Sequence, residues 1–273
     1  MTLAEILVAL SGTPVDKNAL DAAFAVAAPF GAHVTALLAT PDAREAVTAS
    51  DLHETVAARG EHIAGARERA RLAFAAAAKG ADAVVHTDGE KYGTLSGSYC
   101  EVPGTMADAV ADAAPFCDLV VFPHGAAQGV QRQAFLRALT QSEKPILLAG
   151  RAATAPAAVA IGWDGSLPAA RALTSALPLL EKAKNVELLV VGDCTGIAVA
   201  EAVDYLALHG VPASPRTLPA ASVPVGRTLL ASASGADLLV LGAYGHSRML
   251  ERIFGGVTAH ILAHADGAIL LAH

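Results

Sequence analysis

Aromatic side chains and charge are both scarce in this chain: Phe, Trp and Tyr make up 4% of its 273 residues, and charged residues 16%. Cysteine occurs three times, as Cys100, Cys117 and Cys194. An odd number, widely spaced, excludes a disulfide scaffold and fits a reducing compartment. No block of Lys or Arg is present, and 19 basic residues against 26 acidic ones leave a net charge of −7. Such a chain cannot neutralise a run of phosphates, so nucleic acid is not expected as a partner. Long apolar runs are missing too. The longest, Ala22 to Ala39, is broken by Pro29, Gly31 and His33, and a membrane-crossing helix needs about 20 unbroken residues. The opening MTLAEILVAL lacks a positive n-region and carries Glu5, so it reads as a first strand and not as a signal peptide. A soluble, cytoplasmic protein with no membrane association is expected.

What is abundant is small and apolar. Hydrophobic residues make up 53% of the chain, and 63 residues are alanine, the strongest helix former. That content excludes disorder, and the length suits one large domain or two smaller ones. Short continuous apolar runs recur: ILVAL (Ile6 to Leu10), HVTALLA (His33 to Ala39), ADAVVH (Ala81 to His86), DLVVF (Asp118 to Phe122) and PILLA (Pro145 to Ala149). Five more follow: AVAIGW (Ala158 to Trp163), VELLVV (Val186 to Val191), a weak PASPRTL (Pro212 to Leu218), DLLVL (Asp237 to Leu241) and AILLA (Ala268 to Ala272). Runs that are apolar on both faces read as buried parallel strands, and the Ala-rich segments between them as crossover helices. An α/β fold follows.

The ten runs are one set of five, twice. CDLVVF parallels ADLLVL, KPILLAG parallels GAILLAH, and ILVALSGT parallels VAIGWDGS. The pattern predicts two domains, 1–150 and 151–273, divided in the small-residue stretch RAATAPAA, each with its own core. The halves differ in that the first carries a long helix, roughly Ser50 to Lys79, then a glycine-tyrosine loop, TDGEKYGTLSGSYCEVPG.

Glycine placement sets the halves apart in function. After its fourth strand the second half reads GAYGHSRMLERIFGGVTAHIL, with Gly242, Gly245 and Gly255 spaced as Gly-x2-Gly-x9-Gly. In an open parallel sheet, ligands sit beyond the carboxyl ends of the strands. Glycine there lets backbone approach a ligand, and the helix opening at Gly256, Val257 and Thr258 offers unpaired N–H groups to a phosphate. Thr258 can add a hydroxyl or cap the helix. Gly162, Trp163 and Asp164 end the first strand of this half and face the same crevice, with Val191 and Leu241 at neighbouring strand ends. Asp164 can accept from a base or ribose, or form an Asx-turn; Trp163 can flank a ring, or simply pack. His246 and Arg248 can reach phosphate or stand in solvent.

These segments together, DLLVLGAYGHSRMLERIFGGVTAHIL, VAIGWDGS and the five-strand unit, resemble the universal stress protein family in its tandem form. The resemblance implies two five-stranded, mostly parallel sheets of order 3-2-1-4-5 with helices on both faces. Their last strands, around Ile146 and Ile269, would meet across a pseudo-twofold axis. It also implies ATP as ligand, with or without Mg, with Asp164 on the adenosine side and Gly242, Gly245 and Gly255 at the phosphates. Gly256 stands where the family places Ser or Thr, so a hydroxyl is lost while the N–H remains. The implied role is a stress-response sensor or adaptor with an adenine nucleotide in its second domain, an unidentified protein partner, and further pairing of chains as an open point. A nucleotide-independent interaction module and a slow ATP hydrolase are the alternatives.

In the first half the motif is missing. Pro123 stands where Gly242 does, Ser11 where Asp164 does, and no glycine follows Gly129 until Gly150. His260 and His264, at i, i+4 on the last helix, have a spacing that can bind zinc, but no third ligand lies near them in sequence, and no structural metal is expected.

Overall fold

Strands apolar on both faces can bury themselves only between two helical layers, and that arrangement is found in the computed structural model. It describes residues 2–40, 53–86, 94–150, 155–194, 196–220, 223–243 and 256–273. The strands are β1 (Glu5–Leu10), β2 (His33–Thr40), β3 (Val84–Val85), β4 (Ser96–Pro103), β5 (Leu119–Phe122), β6 (Ile146–Leu148), β7 (Ala158–Gly162), β8 (Asn185–Val191), β9 (Ser214–Leu218), β10 (Leu238–Gly242) and β11 (Ala268–Ala272). The α-helices are α1 (Asp16–Ala27), α2 (His53–Gly80), α3 (Met106–Ala113), α4 (Arg132–Gln141), α5 (Leu167–Leu180), α6 (Val199–Leu208), α7 (Val225–Ser232) and α8 (Gly256–His264).

All the strands form one sheet, in the order β3-β4-β2-β1-β5-β6-β11-β10-β7-β8-β9. Every neighbouring pair is parallel except one: β6 and β11 run antiparallel, with Leu148 opposite Ile269 and Ile146 opposite Leu271. The expectation of two separate five-stranded sheets is therefore corrected, although the meeting of strands around Ile146 and Ile269 is found. Each half keeps the order 3-2-1-4-5 when β4 and β9 are counted as its third strand. The seam is what joins them: β6 and β11 offer each other their free edges, so the sheet continues.

The core divides by sheet face, and each apolar layer draws on both halves. One apolar layer runs from Ile6, Phe24 and Phe74 in the first half to Ile161, Leu173 and Leu206 in the second, beneath α1, α2, α5 and α6. The other joins Leu7, Phe122 and Phe135 to Leu239, Ile261 and Leu271, beneath α3, α4, α7 and α8. Because the seam keeps both faces continuous, each layer crosses it.

The segment expected to be a loop also needs correcting. Residues 96–103 form β4, which pairs with β2 over its whole length, from Ser96 opposite His33 to Pro103 opposite Thr40. The run at 81–86 supplies only the two-residue edge strand β3. Gly97 looked like loop punctuation, yet it is a packing residue: a Cβ there would lie 3.0 Å from Phe24 Cζ and 3.2 Å from Phe74 Cε2. Glycine in a strand often marks such an approach.

The same clamp is built twice. Asp118 Oδ2 accepts the N–H groups of Ala4 (2.7 Å) and Glu5 (3.0 Å). Asp237 Oδ2 accepts those of Ala157 (2.9 Å) and Ala158 (2.8 Å). Each aspartate precedes the fourth strand of its half and ties down the start of the first. No helix among the described residues is long and apolar enough to cross a membrane.

Candidate functional site

The carboxyl ends of β7, β8 and β10 and the start of α8 lie along one edge of the second half, because every parallel crossover returns its helix N-terminus to that edge. Gly245, His246 and Gly255 lie outside the described residues, as does Arg248. The other predicted residues fall into two groups.

The first group is used in packing. Trp163 is buried, and its Nε1 donates to the Ile197 carbonyl at 3.1 Å. It belongs to the apolar layer under α5 and α6, whereas Leu241 belongs to the opposite layer, against which Val191 is packed. Of the two readings of Trp163, packing is the one these contacts describe: the indole lies on the other face of the sheet from Leu241, and its one polar atom is satisfied internally. Gly242 is taken up as well. A Cβ on it would sit 2.5 Å from Ala169 N and Pro168 C, the backbone of the first turn of α5. The close approach that demands glycine is thus between β10 and α5. At Gly162 the space is filled by Leu241, whose Cδ2 would be 2.6 Å from an added Cβ.

The second group faces outward. Asp164 is exposed, and its Oδ1 accepts the Ser166 N–H at 2.9 Å, an Asx-turn that leads into α5. Ser166 Oγ then caps that helix by accepting from Ala169 N. Gly165, at φ 76°, completes the turn. Gly256 and Val257 open α8 in exposed positions, Thr258 is half-buried beside them, and among the described residues nothing lies within 4 Å of where a Gly256 Cβ would be. An outward carboxylate and an exposed helix start on one strand edge can hold, respectively, the hydrogen-bond donors and the anionic group of a ligand.

A feature the sequence did not suggest narrows this edge. The loop after β8 presses on the loop after β7: Ile197 N donates to Gly165 O at 2.9 Å, and a Cβ on Gly196 would lie 2.2 Å from that same oxygen. Cys194 Sγ reaches the Ile197 carbonyl at 3.2 Å. The glycine pair Gly165 and Gly196 was the available signal, since neither can carry a side chain there.

The first half is closed differently. α2 lies over the turn after β1: a Cβ on Gly12 would come within 2.5 Å of Ala66 Cβ, and Arg69 Nε donates to Gly12 O at 2.8 Å. Arg67 donates to Thr40 Oγ1 and pairs with Glu101.

Among the described residues, every group with a shifted pKa lies in this half. Glu5 is pushed up to about 7, by burial first and by the nearby Asp118 charge, against the hydrogen bond donated by Thr35. Burial and the neighbouring His86 lower His33, whose ring nitrogens contact Ser96 Oγ and Ser98 Oγ, both at 2.9 Å. Burial pushes the Cys117 thiol up to about 12, which leaves it an inert core group. This polar line sits at the amino ends of β1, β2 and β4, away from the carboxyl edge. A cavity of about 460 Å3, lined by Ala111, Pro115, Arg137, Gln141 and Lys144, lies at the C-terminal ends of α3 and α4.

His260 and His264 stack at 4.2 Å between ring centroids, and His264 Nδ1 contacts the His260 carbonyl. No cluster of His, Cys, Asp or Glu able to hold a metal ion occurs among the described residues.

No family model matches the chain, and no curated protein matches it in sequence. Solved structures do match in shape. A universal stress protein from Archaeoglobus fulgidus superimposes with a TM-score of 0.66 at 12% identity, over 98% of this chain and 97% of its own. The fold is that of the universal stress proteins. A putative universal stress protein from Pseudomonas aeruginosa agrees, with a TM-score of 0.53 at 14% identity, over 99% of this chain and 93% of that one. The match to both universal stress proteins is thus full-length, as a tandem universal stress protein form requires.

Proposed function

We propose that this chain binds an adenine nucleotide, ATP with or without Mg, at the carboxyl edge of its second half, and serves in the cytoplasm as a stress-response sensor or adaptor built from two tandem domains, 1–150 and 151–273. One observation carries the reading: α8 begins at Gly256, directly after the Gly242-x2-Gly245-x9-Gly255 spacing, with its first two residues exposed and on the same edge as the exposed Asp164. The helix start would receive phosphate through its N–H groups. Asp164 would accept from the ribose or base, and the backbone at Gly245 and Gly255 would approach the phosphates. Trp163 and Gly242 take no direct part and hold the edge in shape.

Titration calorimetry with ATP and Mg tests this. One site per chain is expected. Gly245→Val should abolish binding with the fold intact, Asp164→Ala should weaken it, and Gly256→Ser should strengthen it by about 1 kcal/mol, one net hydrogen bond. Gly129→Ala should change nothing. Two equal sites, or loss of binding on changing Gly129 but not Gly245, would overturn the assignment. A nucleotide-independent interaction module is the second reading, favoured by the packing roles of Trp163 and Gly242 and by the missing hydroxyl at Gly256. Binding absent in the wild type but present in Gly256→Ser would support it, and product formation over hours would reveal slow hydrolysis.

A further inference from the structure

The turns that follow the first strand of each half have the same shape and opposite polarity. Ser11-Gly12-Thr13 and Asp164-Gly165-Ser166 each place glycine at positive φ, 71° and 76°. In the second half the acid is in the turn, exposed, and Ala169 stands five residues on. In the first half the turn residue is Ser11, and the acid, Asp16, stands five residues on, fully buried at 0% exposure.

Asp16 is held as a bound ligand would be. Its Oδ1 accepts from Ser11 N (2.9 Å) and Ser11 Oγ (2.7 Å), and its Oδ2 from Gly12 N (2.7 Å) and Thr13 N (3.3 Å). Three successive backbone N–H groups and a hydroxyl thus converge on one carboxylate, a concave arrangement suited to anions. Ser11 Oγ is itself fixed, 2.6 Å from Thr13 Oγ1. The outer side of the turn is shut by Ala66 and Arg69 of α2. Burial raises the Asp16 carboxyl, and the Ser11, Gly12 and Thr13 donors draw it back down.

We propose that the Ser11–Thr13 turn is a carboxylate cradle whose resident ligand is Asp16, so that removing this side chain creates a site for a small free carboxylate such as formate. The cradle belongs to the backbone and the Ser11 hydroxyl, and the helix contributes only the anion. Deleting the anion leaves buried donors without acceptors, which is the costly state, and a free ion of the same chemistry can relieve it. The turn after β1 is then self-liganded. This inference stands whether or not the second half binds nucleotide.

The test is thermal denaturation of full-length wild type and Asp16→Ala at pH 7.5 and constant ionic strength, with sodium formate replacing sodium chloride stepwise. Asp16→Ala should melt lower than wild type in chloride and regain at least half of the lost Tm in formate. The gain should rise with concentration as binding to the native state requires. Wild type should not respond, and pivalate, too bulky for the cradle, should not rescue. Should Asp16→Ala not fold in chloride, its refolding yield from urea should rise several-fold in formate over chloride. Asp16→Asn keeps one acceptor oxygen and fills the space, so it should fold and ignore formate. A folded Asp16→Ala no more sensitive to formate than wild type, or a refolding yield equal in both salts, would overturn the proposal.

Discussion

Replacing Gly242 with alanine separates a packing role from a ligand role. A glycine needed only so that phosphate can approach would tolerate a methyl group in the unliganded protein. Here an added Cβ would lie 2.5 Å from both Ala169 N and Pro168 C and 2.8 Å from Pro168 O. All three are backbone atoms, in a turn already fixed by the Ser166 cap. Relief requires α5 to move off β10, so the cost should reach the upper end of the overpacking range, about 3 kcal/mol. Gly162→Ala should cost less, about 1 kcal/mol, since its nearest contact is the free end of Leu241. Gly256→Ala meets nothing within 4 Å among the described residues and should be neutral or favourable by up to about 1 kcal/mol. Equilibrium urea unfolding without nucleotide, read from the midpoint at constant slope, ranks the three. Gly242→Ala as stable as Gly256→Ala would refute the reasoning and return Gly242 to the ligand.

Two further outcomes follow from the first-strand ends. Glu5 binds its proton more tightly in the folded state, about 7 against the ordinary 4.5, so its contribution to stability is complete below pH 4.5 and is lost as pH rises to about 7. Allowing for the group's partial exposure, about 1–2 kcal/mol is at stake, and Glu5→Gln should flatten the fall in urea midpoint across that window; an unchanged slope would refute it. Asp237→Ala should cost about 1–3 kcal/mol, because two backbone N–H groups lose their acceptor, and should speed hydrogen exchange at Ala157 and Ala158; unchanged exchange there would show that the clamp does not hold the strand.

The apolar strands were readable in the sequence because burial on both faces leaves a continuous run, as in VELLVV and AILLA. β4 was not readable for the same reason in reverse. It carries Gly97, Ser96 and Ser98, each suited to one neighbour: the glycine to the rings of Phe24 and Phe74, the serines to His33. Such residues announce a turn when their partners are unknown. The surroundings of the candidate site residues were less legible. Asp164 and the start of α8 are exposed, whereas Trp163 and Gly242 have the composition of a binding site and the surroundings of a core. Nothing local in a sequence separates those cases, because what decides them is the distant atom that fills the space: Ile197 for the indole, Pro168 for the glycine.

The antiparallel seam also governs what the molecule can do with other copies of itself. By spending both last strands on each other, the described strands leave open only the outer edges, β3 and β9. An unpaired edge is a template for strand exchange and fibre growth, and proteins blunt it by shortness, by proline and by charge. β3 offers two residues. β9 contains Pro215, which has no N–H to give, followed by Arg216, paired with Glu187 on the neighbouring strand. An apolar, parallel-stranded sheet of this breadth would be an aggregation hazard if it ended on a strand like β8; among the described residues it ends instead on two strands ill suited to recruit another.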